Sequence, residues 1–126
     1  SDNTDCLAIM QENFNRIFES ARARGLDITV NKVGERPCMG KVDLGKIEKM
    51  AKIYEQITLD VTGNGVIRGS SSTDCNIPLS LGVPSLCVGV YKGGGTHTRG
   101  EWIDKQSLIP GLEIGIKTIL ALLEAL

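Results

Sequence analysis

The single histidine of the chain, His97, follows Gly93-Gly94-Gly95-Thr96. Neutral imidazole is the commonest side-chain ligand for metal ions, so metal binding is the first functional role to consider here. The loop is expected to leave the carboxyl end of an apolar strand, where open α/β sheets carry their sites. The glycine run alone decides less. It lacks the G-x-x-x-x-G-K-[ST] spacing of a phosphate loop, and serves either a tight turn or the close approach of a ligand to the backbone. A second polar cluster, Ser70-Ser71-Ser72-Thr73-Asp74, either caps a following helix or presents hydroxyls and amide N–H groups to an anion. A serine nucleophile is not expected, because no G-x-S-x-G elbow is present. Cys6, Cys38, Cys75 and Cys87 form no C-x-x-C pair and lack finger-type spacing. Reduced thiols are therefore expected rather than structural zinc.

Positioning these groups falls to helices and strands whose apolar periodicity is legible. Leu7, Met10, Phe14, Ile17, Phe18 and Ala21 recur at steps of three and four and predict a helix over 5–23. Asp2, Asn3 or Thr4 can cap it and Gly25 can end it. Leu26, Ile28 and Val30 alternate with polar residues, which predicts a strand covered on one side. Gly34-Glu35-Arg36-Pro37 breaks the pattern and marks a boundary between two structural units. Asp43 then caps a second helix whose inner face is Leu44, Ile47, Met50, Ala51, Tyr54 and Ile57. Lys46, Lys49 and Lys52, beside Glu48 and Glu55, read as a solvated face. Gly63-Asn64-Gly65 is a turn, and Val66-Ile67-Arg68 a short strand. Thr73 or Asp74 is expected to cap a short helix through Ile77, Leu79 and Leu81, closed by Gly82. Residues 85–91, with Leu86, Val88 and Val90, read as a buried parallel strand. The last helix is expected from about Ser107 to Leu126, with Ile109, Leu112, Ile116, Ile119, Leu120 and Leu123 facing inward. Strand, helix and strand alternate, which predicts an α/β fold with too few strands for a complete doubly wound sheet.

Composition narrows the function classes. The chain has 126 residues, 41% apolar, and a formal net charge of −1. That balance argues against a nucleic-acid partner, which calls for a basic face. Charges interrupt every apolar run before the ~18 residues that a membrane span requires, and no secretory leader pattern opens the sequence. A soluble cytoplasmic protein is expected.

Several short motifs together resemble a known family. Ser72-Thr73-Asp74-Cys75-Asn76-Ile77-Pro78-Leu79, Leu81-Gly82-Val83-Pro84, Gly93-Gly94-Gly95-Thr96-His97-Thr98 and Glu101-Trp102-Ile103-Asp104 resemble the dinuclear zinc peptidases. That family includes peptidase T, carboxypeptidase G, acetylornithine deacetylase and succinyl-diaminopimelate desuccinylase. Gly34-Glu35-Arg36-Pro37 resembles the segment where its chain returns from a lid, or dimerisation, domain to the catalytic domain. The resemblance implies that residues 1–34 are the last helix and strand of the lid. Residues 35–126 would then be the carboxyl-terminal half of a catalytic α/β domain, a mostly parallel sheet covered by helices. It implies that His97 is a zinc ligand and that Arg36 binds the substrate's carboxylate, for which a guanidinium fork is well shaped. Ser72, Thr73, Asn76, Gly94 and Gly95 fall where the family contacts its substrate.

The family also uses an H-x-D pair, a bridging aspartate, a Glu-Glu pair and a further carboxylate, none of which this sequence contains. One histidine cannot hold two zinc ions, since catalytic zinc takes three protein ligands or more. The expectation is therefore a carboxyl-terminal fragment of a zinc-dependent hydrolase, empty of zinc and inactive alone. The intact enzyme would hold two zinc ions, cleave amide bonds of small peptides or N-acyl amino acids, and form a homo-oligomer. The competing expectation is a non-catalytic, self-associating module built on the first helix and an edge strand at Leu26, Ile28 and Val30.

Overall fold

The computed structural model describes residues 3–125. In chain order its elements are α1 (Thr4–Ala23), α2 (Leu44–Thr62), α3 (Asn76–Ser80), β1 (Gly93–Gly94), β2 (Trp102–Ile103), a 3-10 turn (Lys105–Ser107) and α4 (Leu108–Ala125). The chain divides into two compact units, Ser1–Val42 with Ser70–Val83, and Asp43–Gly69 with Pro84–Leu126.

In the first unit α1 starts as its sequence dictates. The Asn3 side chain accepts a hydrogen bond from the Cys6 N–H at 3.0 Å, satisfying one of the orphan amides of the first turn. Asp2, the other candidate cap, lies outside the described residues. Phe14 and Phe18 stack one turn apart with ring centroids 6.2 Å from each other. The helix ends where Gly25 takes a positive φ. Residues 26–30 are not a strand. Instead Arg22 donates from Nε and Nη2 to the carbonyl oxygen of Ile28, at 3.1 and 2.9 Å. Alternation tells which side a strand would bury, but not whether a neighbouring strand exists to pair with it, and here no described residue supplies one. The edge strand on which the self-associating module was to be built is therefore absent.

α3 is tied to the segment before α2. The Gly40 N–H donates to the Leu79 carbonyl at 3.0 Å. A Cβ added at Gly40 would sit 2.5 Å from the Ser80 carbonyl oxygen, so this close passage tolerates only glycine. Neither Thr73 nor Asp74 caps α3: Cys75 occupies that position and makes no side-chain capping bond.

In the second unit α2 and α4 pack on each other. Asp43 caps α2 by accepting from the Lys46 N–H at 3.1 Å, as its type and position predict. Tyr54 is the buried centre of the α2 face, and its hydroxyl donates to the Gly89 carbonyl at 2.5 Å. α4 reverses its expected orientation. Gly111, Ile114 and Thr118 are its buried positions, while Ile109, Leu112, Ile116, Ile119, Leu120 and Leu123 are exposed. The reason is steric. A Cβ at Gly111 would overlap the Val90 carbonyl, so the α4 backbone passes against residue 90 at that turn, and Ile114 and Thr118 are buried on the same side. The final residue of the expected helix, Leu126, lies outside the described residues.

The expected mostly parallel sheet is not found. Just over half of the described residues are helical, and the one sheet pairs β1 with β2 antiparallel, Gly93 opposite Ile103 and Gly94 opposite Trp102. Residues 66–68 and 85–91 are irregular. Val88 and Val90 are exposed, so the second of these segments is not the buried strand that its composition suggests. An apolar run becomes a parallel strand only when flanking strands satisfy its backbone on both sides, and no described residue supplies them. No described helix is long and apolar enough to cross a membrane.

Candidate functional site

The first unit gathers four of the polar residues singled out in the sequence. Arg36 Nη1 and Asp74 Oδ1 form an ion pair at 2.6 Å, with Asp74 almost wholly exposed. Asn76 works as a staple. Its Oδ1 accepts from the Thr73 N–H at 2.8 Å, and its Nδ2 donates to the carbonyl of Pro37, the residue after Arg36, at 3.0 Å. Two turn bonds, Asn76 N–H to Thr73 carbonyl and Ile77 N–H to Asp74 carbonyl, complete the bend at 3.1 and 3.3 Å.

A proline carbonyl, an asparagine amide and a threonine N–H thus hold Arg36 beside the 72–76 turn. The staple also commits both functional groups of the Asn76 amide, and the Thr73 N–H with them. Asn76 and the Thr73 amide therefore position this corner. Ser72 is exposed on the same turn. Asp74, weighed in the sequence as a cap or as part of an anion-facing cluster, is the partner that composition could not assign. The signal available was its charge opposite to that of Arg36, thirty-eight positions away.

The second unit carries His97 and the glycines. β1 and β2 form a hairpin whose turn closes locally. The Thr98 N–H and hydroxyl both donate to the Gly95 carbonyl, at 3.0 and 2.6 Å, and the Glu101 N–H donates to the Thr98 carbonyl at 3.2 Å. His97 has φ +64, the only positive value among the described non-glycine residues. Histidine is among the residues enriched in that region, yet it remains uncommon there, and such backbone strain clusters at functional positions. The His97 N–H donates to Glu101 Oε2 at 3.3 Å, while the residue itself is exposed.

The glycines shape this hairpin. A Cβ at Gly94 would lie 2.9 Å from Trp102 Nε1 and 3.1 Å from two ring carbons. Gly94 is therefore the flat surface on which the Trp102 indole rests. Gly95 turns the chain at φ +68. Both glycines serve the hairpin.

Two further features were not foreseen. Arg68 lies between two glutamates one heptad apart on α2. It donates from Nη1 to Glu48 Oε2 at 2.6 Å and from Nη2 to Glu55 Oε2 at 2.8 Å, with a further contact from Nε to Glu55. Hydrogen bonding to Arg68 holds both carboxyl groups below their ordinary pKa, and the same pairs push Arg68 above its own. Glu48 and Glu55 share a helix face, which was the signal available. The second feature is a cavity of about 430 Å³ lined by Thr58, Tyr91, Lys92, Asp104, Ser107 and Gly111 among others. None of the residues expected to bind substrate or metal lines it.

Among the described residues no group of three His, Cys, Asp or Glu side chains is placed to hold a metal ion. No family model, curated protein or solved structure matches the chain.

Proposed function

We propose that this chain belongs to a zinc-dependent hydrolase that cleaves amide bonds of small peptides or N-acyl amino acids, and that Arg36 receives the substrate's free carboxylate. The observation that carries this reading is the Arg36–Asp74 pair. Arg36 already holds a carboxylate at 2.6 Å, on a backbone clamped by Asn76 and reachable from solvent. An exposed ion pair of this kind contributes less than ~1 kcal/mol, so a substrate carboxylate offering two oxygens to the guanidinium can displace Asp74 at little expense. Ser72 then lies within the same turn as a hydroxyl donor.

The donor set fits one metal ligand and no more. His97 offers an exposed imidazole on a short hairpin, whereas a catalytic zinc takes three protein ligands or more. In this reading His97 contributes one ligand to a centre of two zinc ions completed by other residues. The chain alone does not build that centre, so the role derived for its own residues is recognition and orientation of substrate.

The test compares an N-acyl amino acid with its amide in the enzyme. Arg36→Lys should lower kcat/KM for the free acid by roughly 10- to 100-fold, since the bidentate fork is lost, and leave the amide within about twofold. Equal losses on both substrates would assign Arg36 to structure and overturn the reading. His97→Ala should reduce zinc content and activity together, and unchanged zinc stoichiometry would remove His97 from the site.

A further inference from the structure

The Arg36–Asp74 contact is single-pronged. Nη1 of the guanidinium meets Oδ1 of the carboxylate at 2.6 Å, and among the described residues no bond engages Nε, Nη2 or Asp74 Oδ2. The two side chains are 46 and 96% exposed, so a small molecule can reach both. Their backbones do not share that freedom. Asn76 holds the Pro37 carbonyl and the Thr73 N–H, one residue from each charge, and the Ile77 N–H holds the Asp74 carbonyl itself. The neighbouring carboxylate in sequence, Glu35, is engaged by Lys32. The corner therefore keeps one cation and one anion side by side, each with open bonding positions.

On the reading that Arg36 receives a carboxylate, charge balance decides which ligand it favours. A plain acid that takes Arg36 leaves two carboxylates around one guanidinium, because the backbone of Asp74 stays clamped at the corner. A ligand whose ammonium stands beside its carboxylate replaces one ion pair with two. Its carboxylate takes the Arg36 fork, and its ammonium takes Asp74. The head group of an α-amino acid has that arrangement, with both charges on one carbon. We infer that Asp74 is a specificity-determining residue that receives the ammonium of a free α-amino acid, so that the corner holds this zwitterion more tightly than the corresponding N-acylated acid.

The difference between those two ligands is the bond that the proposed reaction breaks. In an N-acyl amino acid, or at the carboxyl end of a peptide, the nitrogen is a neutral amide and offers Asp74 only an uncharged N–H. Hydrolysis turns that nitrogen into an amine, which is protonated near neutral pH and carries a full positive charge. Charge-assisted hydrogen bonds are about twice as strong as neutral ones, and solvent screening at this exposed position keeps the gain small. The amino acid product thus outcompetes the substrate at Arg36, and its accumulation inhibits the enzyme.

A chemical-shift titration of the isotope-labelled chain tests this without any activity. L-Alanine, N-acetyl-L-alanine and L-alaninamide are compared near neutral pH, read at the backbone amides of Thr73 and Asp74. Alanine should bind roughly three- to tenfold more tightly than N-acetylalanine, and alaninamide, which lacks the carboxylate, should bind least. Asp74→Asn removes the charge at an exposed position and keeps the main-chain bond to Ile77. It should abolish the preference by weakening alanine and tightening N-acetylalanine, with the signals of residues 93–103 unchanged. Alanine no tighter than N-acetylalanine, or a preference that persists in Asp74→Asn, would overturn the role of Asp74 while leaving Arg36 as the carboxylate receiver. If neither acid binds, or both bind Arg36→Gln as they bind the parent, the reading of Arg36 falls and the role of Asp74 with it.

Discussion

The Arg36 corner and the His97 hairpin are both polar turns rich in small residues, yet they are held together in opposite ways. The hairpin closes through bonds between residues no more than a few positions apart, from Gly95 to Thr98 and from Thr98 to Glu101. The corner depends on residues nearly forty positions apart, Arg36 with Asp74 and Pro37 with Asn76. Local closure needs little beyond the turn's own sequence, and places an imidazole in a strained but self-contained loop. Long-range closure needs two chain segments to be brought together first, and its geometry is only as good as the close passage that joins them.

That contrast is open to attack at several points. The largest effect should come from Gly40→Val. Its added atoms would meet the Ser80 carbonyl and should destabilise the first unit by about 3 kcal/mol. In two-dimensional NMR the Arg36 and Asn76 signals should move, while those of residues 93–103 stay in place. Equal movement in both regions would break the comparison.

Asn76→Ala should cost about 2 kcal/mol, because it removes two hydrogen bonds and leaves the Thr73 N–H and Pro37 carbonyl unpaired. Amide exchange at Thr73 should accelerate in parallel, and exchange at Thr98 should not change. His97→Gly tests the other region. Glycine relieves the φ +64 conformation and should stabilise the hairpin by up to ~1 kcal/mol despite its greater freedom when unfolded; a destabilised hairpin would show that the histidine side chain itself supports the turn.

The smallest effect concerns the exposed Arg68 clasp, a long-range tie without a close passage beneath it. Glu48 and Glu55 have depressed pKa values in the fold, so their contribution is fully present above the ordinary value of 4.5 and is lost as pH falls through the depressed values. Titrating the two side-chain carboxyl carbons by NMR should give midpoints below 4.5, returning to 4.5 in Arg68→Gln; unshifted midpoints in the parent chain would remove the clasp.

Helices and their caps were largely legible because their determinants lie within a few residues. Asn3 and Asp43 cap the helices that follow them, and Tyr54 on α2 turns inward as its spacing predicts, whereas Leu44, expected on the same face, is exposed. The strands were not legible on the same terms. Leu26 to Val30 and Leu86 to Val90 have strand-like composition, but pairing depends on a neighbour that composition does not reveal. α4 failed for another reason. It is apolar around most of its circumference, so hydrophobicity could not choose a face, and steric size chose it through Gly111 against Val90. In the candidate site, His97 and Arg36 were recognisable as chemistry-bearing groups. The staple by Asn76 and the pairing of Asp74 were not, because both bonds run between segments that the sequence lists far apart.

By itself the sequence determined where α1 and α2 begin and which residues could carry chemistry. These follow from local sterics and from hydrogen bonds that close within a turn. Only the tertiary structure decided which face of α4 is covered, that two apolar runs stay unpaired, and that Arg36 faces a carboxylate. Each of these depends on how closely two distant backbones can approach, and that is set by the shape of both partners together.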